Sequence, residues 1–354
     1  MRAAGRSAHH ALSLLLLGGG LGCTLDPIAA SGVPPLPWGS TAWPEAEVPV
    51  DNPSTEAKVD LGRLLFYDPI LSADGEVACA TCHSEIWGMS DGLVVSVGVT
   101  GDGPTGPGRE GPLTTDRNSQ TLWNVAYRQG LFWDGRVTTL EEQALEPIDE
   151  EVELGRASVA EAVAEIAAVA DYRARFEAVF DDGVTAENLG RVLASFQRTM
   201  VTDWAPYDRY VAGDEGAMSP AAVEGMYLFA DAGCPDCHAP PLFETEGYAA
   251  RIDTDDLGRF EVTGREADRG AFRVPTLRNV RETGPYFHDG SEPSLDEAVA
   301  IELAHAPDDF SPADAERIVR FLSEGLMDRS QEPDRPEVVP SGLPVPKDGF
   351  RIPR

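Results

Sequence analysis

Positive charge is scarce in this chain: 28 Lys and Arg stand against 60 Asp and Glu, a formal net charge of −32 over 354 residues. So large a negative excess repels nucleic acid and anionic lipid, which argues against nucleic acid as a partner and leaves basic protein partners or plain solubility. Long apolar runs are scarce as well. One run, residues 11–21, follows Arg2 and Arg6 and is too short to span a bilayer. It reads as a secretory signal over residues 1–23. Cys23 ends it, where a lipoprotein carries its lipid-acceptor cysteine, although Gly20 stands where Leu is usual. Lipidation at Cys23 and plain cleavage near Ala29 or Ala30 are the two alternatives. Strand signals are weak throughout, while 42% apolar residues suffice for a real core.

Cysteine is the third scarcity. Five are present, and Cys23 belongs to the export segment. The other four form one pattern twice: Cys79-Ala-Thr-Cys82-His83 and Cys234-Pro-Asp-Cys237-His238. C-x-x-C-H attaches haem c, because two thiols form thioethers to the porphyrin and the adjacent imidazole ligates iron. A zinc site built from both pairs, a disulfide pair and a thioredoxin-like motif are the competing readings. The His after both pairs, in an exported chain, favours two haems.

The two motifs lie 155 residues apart, and their surroundings repeat at the same offset. Thr121-Leu-Trp-Asn-Val125 returns as Thr276-Leu-Arg-Asn-Val280, Phe132-Trp-Asp-Gly135 as Phe287-His-Asp-Gly290, and Leu140-Glu-Glu142 as Leu295-Asp-Glu297. One haem-binding unit is duplicated. The expected fold is mainly α: two pseudo-symmetric cytochrome c-like helical domains with long loops, residues 55–205 and 206–330. Capping residues predict helices from Ser158 to about Phe180, from Thr185 through Met200, and after Ser219, Ser294 and Ser311. Residues 101–112, rich in Gly and Pro, form a loop expected near the first haem. The Pro-rich stretches 24–54 and 331–354 read as a tether and a surface-wrapping tail.

Cys79-Ala-Thr-Cys-His83, Arg117-Asn118-Ser119, Phe132-Trp-Asp-Gly-Arg136, Glu142-Gln143-Ala144, Leu277-Arg-Asn-Val280 and Pro285-Tyr-Phe-His-Asp-Gly290 together resemble the bacterial di-haem cytochrome c peroxidase and MauG family, MbnH-like members included. The resemblance covers residues 55 to 325. It implies that His83 and His238 are proximal iron ligands and that Trp133 relays electrons between the haems, where residues alone would equally allow a packed core indole. It makes Gln143 and Glu153 the pair around bound peroxide, Glu153 moving a proton and Gln143 orienting the substrate. It places a calcium ion on Asn118 and the carbonyls of Thr283 and Pro285.

Two positions depart from the family pattern. Many members carry a His after Ser-Val-Gly that blocks the first haem; here Ser96-Val97-Gly98 is followed by Val99, which cannot ligate iron. Where the family places the second haem's sixth ligand, Met in peroxidases and Tyr in MauG-type enzymes, this chain has Glu302. Glu302 also follows Leu295, Ala298 and Val299 at helical spacing, where a buried apolar residue is expected. Its counterpart 155 residues earlier is Pro147, which has nothing to offer iron. The first haem is therefore expected to be open and the second closed, with His305 as rival ligand and an ion pair to a nearby Arg as the plain alternative. The implied activity is reduction of hydrogen peroxide, with electrons from a cytochrome c or cupredoxin. The runner-up is a MauG- or MbnH-like enzyme that oxidises Trp or Tyr of a partner protein, and a simple electron carrier is the third reading. A periplasmic location is implied, with a lipid anchor and a homodimer left open.

Overall fold

The structure is a computed structural model that describes residues 34–39, 42–251 and 254–349. Residues 1–23, read as the signal with Cys23, lie outside them. The described chain is mostly helical, with one small antiparallel sheet pairing Tyr248–Ala250 with Ala271–Arg273. Among the described residues no helix is long and apolar enough to cross a membrane.

Each unit is built on one close helix crossing. Helix Glu56–Phe66 starts where Thr55 accepts from the Lys58 amide, and it buries Leu61, Leu64, Leu65 and Phe66. It meets helix Ala186–Gln197 at Gly62, where a β-carbon would lie 1.9 Å from the Val192 carbonyl oxygen. Only a residue without a side chain permits that approach. In the second unit helix Pro220–Asp231, capped by Ser219, meets helix Pro312–Arg320, capped by Ser311. There the crossing falls at Gly225, whose β-carbon would lie 1.8 Å from the Arg317 carbonyl. One apolar core spans residues 61–200 and a second spans residues 207–326.

The 155-residue repeat is present in the backbone itself. Asn124 and Asn279 both turn left-handed (φ 59° and 56°), as do Phe132 and Phe287 (64° and 70°). The two halves also exchange contacts. The Asn118 amide donates to the His288 carbonyl and the Arg273 amide to the Trp133 carbonyl, each at 2.7 Å. Positions 118 and 273 correspond under the repeat, as do 133 and 288. Each Phe-x-Asp-Gly loop is thus held by the other unit, which makes the interface a pseudo-twofold. Gly135 packs against the Tyr248 hydroxyl and Gly290 against the Val94 carbonyl, where β-carbons would lie 1.8 and 2.4 Å away.

Three expectations need correction. The periodic run after Ser158 is two helices, Val159–Ala168 and Ala170–Val179, separated by an extended Val169. Tyr172 and Phe176 then turn into the core, where the Tyr172 hydroxyl donates to Asp68 at 2.6 Å. The helix capped by Thr185 ends at Gln197, short of the buried Met200. Over its described part the stretch 24–54 is no free tether. Trp38 packs on Tyr207, Phe229, Phe243 and Phe321 of the second core, and its indole donates to the Tyr207 hydroxyl at 3.0 Å. Aromatic burial on that scale overrides a Pro-rich composition. Over its described residues, which end at 349, the C-terminal tail packs against the protein. It returns to the first unit, with Leu343 and Val345 on that core and Arg335 pairing Glu85 at 2.7 Å and Asp348 at 2.9 Å.

Two candidate haem sites

In the first site, Cys79–Cys82 form a single helical turn in which the Thr81 hydroxyl accepts from the Ala78 amide. His83 follows, with Nδ1 3.0 Å from the Met89 carbonyl. That bond fixes the proton on Nδ1 and leaves Nε2 free to ligate a metal. Burial holds the imidazole below its usual pKa and pushes the Cys79 thiol up to about 12. Cys79, Cys82 and His83 line a small cavity of about 50 Å³ together with Gln143, Pro147, Glu153 and Gln197. Gln143 ends a short helix capped by Thr139. Its Oε1 is buried without a hydrogen-bond partner, as is that of Gln197. Burial, reinforced by repulsion from Glu150, raises the Glu153 carboxyl from 4.5 to about 7. The Val99 amide donates to the Glu153 carbonyl at 2.9 Å, and the Val99 side chain is buried in the first core.

The second site is larger, with a cavity of about 400 Å³. Cys234, Cys237 and His238 line it, and His238 Nδ1 lies 3.1 Å from the Pro275 carbonyl and 3.3 Å from that of Phe243. Helix Leu295–Leu303, capped by Ser294, presents Leu295, Ala298, Val299 and Glu302 to the same cavity, so the stripe runs as its spacing requires. Glu302 differs from the buried carboxylate expected. Its side chain is 56% exposed, and its Oε1 pairs with Arg251 at 2.6 Å. His305 lines the cavity too.

Trp133 and the chain 118–121 line the second cavity. Trp133 donates its indole N–H to the Asn118 carbonyl at 2.8 Å. The neighbouring Ser119 hydroxyl donates to the Cys82 carbonyl at 2.8 Å and lies 3.4 Å from His83 Nδ1. A short bonded route therefore runs from the first site's imidazole to the indole. Asn118, Thr283 and Pro285 also line the second cavity, and Asn118 Nδ2 donates to the Leu93 carbonyl at 2.7 Å.

Sequence reasoning missed Gln197, for which no motif gave a signal, and assigned no role to Ser119 although the Arg117-Asn118-Ser119 motif contains it. It also passed over His288, the repeat's counterpart of Trp133, which is buried, lines the second cavity, and stacks on Phe272 at 3.8 Å with Nδ1 unpartnered.

The residues fit haem c. The four thiols are free, and the two pairs line different cavities, which removes the disulfide and the shared zinc site. Among the described residues no cluster of His, Cys, Asp and Glu is arranged to hold a metal by itself. Each cavity pairs two thiols with an imidazole whose Nε2 is free. A protein built this way is a two-centre c-type haem protein.

Residues 56–216 match the family model described as di-haem cytochrome c peroxidase. Cytochrome c551 peroxidase of Nitrosomonas europaea is 35% identical over 77% of this chain and 80% of its own length. The methylamine utilization protein MauG of Methylophilus methylotrophus is 38% identical over 69% and 71%. A crystal structure of a MauG-like protein associated with microbial copper homeostasis superposes with a TM-score of 0.71 at 30% identity, covering 82% of this chain and 95% of that one. The chain belongs to the di-haem cytochrome c peroxidase and MauG family, and haem c is the cofactor that membership implies.

Proposed function

We propose that this chain reduces hydrogen peroxide to water at the first haem, with electrons entering through the second haem and Trp133 from a small redox protein. The observation that carries the reading is the first cavity, where Gln143, Pro147 and Glu153 line the same space as His83. Pro147 offers no donor to the distal position, and Val99 is committed to the core. Haem supplies an iron site for peroxide and storage for single electrons. Glu153, with a pKa near neutrality, takes a proton from one peroxide oxygen and returns it to the other, while the Gln143 amide orients the substrate. Trp133 supports delivery of electrons, since its indole is bonded to the segment that touches Cys82 and His83.

With haem bound, Glu302 would exchange its pair with Arg251 for the second haem's iron, from the cavity wall it shares with His238; His305 is the rival. Asn118 with the Thr283 and Pro285 carbonyls holds a calcium ion, a set made only of oxygen donors. Export to the periplasm through residues 1–23 completes the reading, and lipidation of Cys23 would anchor the protein.

The test is turnover with a reduced cytochrome c or cupredoxin and peroxide. Peroxide-dependent donor oxidation with two electrons per peroxide is expected, slowed by Trp133→Phe. Peroxide consumption without donor oxidation would refute it. A second reading, oxidation of Trp or Tyr on a partner protein, is favoured by Glu302: an anionic oxygen favours oxidised haem where a neutral sulfur favours reduced. Peroxide-dependent oxidation of side chains on a co-purifying protein would support it.

A further inference from the structure

Three charged side chains lie buried beside the second cavity, and their charges do not cancel. Arg128 and Arg273 both bond Glu244 Oε2, at 3.2 and 3.1 Å, and the three side chains are 3%, 1% and 3% exposed. Two guanidiniums against one carboxylate leave one positive charge out of water. Arg128 spends further donors on the Thr121 and Trp123 carbonyls. Arg273 does not: its Nε and Nη1 are buried without partners. Both arginines line the cavity that holds Cys234, Cys237 and His238. A buried, unpaired guanidinium is costly enough that such a site is built for an anion. Burial, with repulsion from Arg273, holds Arg128 down at about 10 although Glu244 opposes it.

We infer that Arg273, backed by Arg128, binds a propionate carboxylate of the second haem, and that Glu244 limits how much positive charge reaches it. This rests on haem occupying the second cavity. Charge-assisted bonds from guanidinium to carboxylate are strong, and Arg273 has Nε and Nη1, on different edges of the group, both free to donate. The site is shared by the two units and is not repeated across the pseudo-twofold. Under the 155-residue repeat, Arg273 corresponds to Asn118 and Arg128 to Thr283, two of the proposed calcium ligands. Where one side of the pseudo-twofold carries fixed arginine charge, the symmetry-related side carries oxygen donors suited to a cation. The net positive charge held near the second haem then favours its reduced state.

Spectroelectrochemical titration of the holoprotein reads the effect directly, with covalent haem counted first to confirm that both haems are attached. Arg273→Gln should lower the second haem's reduction equilibrium at least about tenfold, ~59 mV for one electron, and leave the first haem unchanged. Glu244→Gln should move it the other way, and Arg273→Lys should stay near the parent. A purely structural role would not give opposite signs from two neighbours. Equal potentials in Arg273→Gln and Glu244→Gln, or shifts in the same direction, overturn the proposal. If Arg273→Gln fails to fold, the Glu244→Gln and Arg273→Lys pair still decides it. A chain without a second covalent haem would instead refute the haem reading beneath it.

Discussion

Replacing Glu153 with Gln should slow chemistry and stabilise the fold in the same protein. The carboxyl sits beside the first cavity with its pKa raised from 4.5 to about 7, first by burial and then by Glu150. A displacement of that size means that the folded state disfavours the ionised form by about 3 kcal/mol. The sign follows from linkage: the folded pKa is the higher one, so the relative stability is complete below 4.5 and is lost as pH rises through about 7. Gln carries no charge to bury. Glu153→Gln should therefore match the parent in acid and exceed it above neutrality by up to about 3 kcal/mol, read by denaturant unfolding at both ends. Reaction with peroxide should fall by about 10²- to 10⁴-fold, the usual loss when a positioned proton carrier is removed. In the parent the stopped-flow rate should rise with pH through about 7 as the carboxylate forms, and the variant should lack that limb. Unchanged rates with the limb retained would refute the assignment.

Glu302→Ala should change the second haem's absorption spectrum and leave the first haem's alone; if only His305→Ala does so, His305 is the ligand. Gly62→Ala should lower stability by about 1–3 kcal/mol, since its β-carbon would meet the Val192 carbonyl at 1.9 Å, and an unchanged denaturation midpoint would contradict the crossing. Chelation of calcium should slow electron transfer between the haems without releasing either haem, and recalcification should restore it. Equal rates before and after chelation would remove calcium from Asn118, Thr283 and Pro285.

What the sequence made legible was chemistry carried by short motifs and by the repeat. The two C-x-x-C-H motifs, the caps at Ser219, Ser294 and Ser311, and the stripe leading to Glu302 depend on local spacing, so they survive without knowledge of the fold. The interface was legible only in part. The repeat paired Trp133 with His288 but could not say that each loop hangs on the opposite unit, because that exchange is a property of the assembled pair. Nothing local in the sequence marks Arg128, Glu244 and Arg273 as buried, since most such residues stay in water and only packing removes them from it. Trp38 was hidden by its Pro-rich neighbours. Val169 broke a helix that its flanking periodicity continued, because Tyr172 and Phe176 gain more from the core than an unbroken helix would.

On the proposed function, a duplicated unit carries one open site and one closed site, set by Pro147 and Val99 on one side and Glu302 on the other. The most direct measurement is the spectrum of the fully oxidised protein before and after mixing with peroxide, with no reductant present. One high-spin and one low-spin haem, reacting at once, are predicted. Two low-spin haems that respond to peroxide only after prior reduction would contradict it.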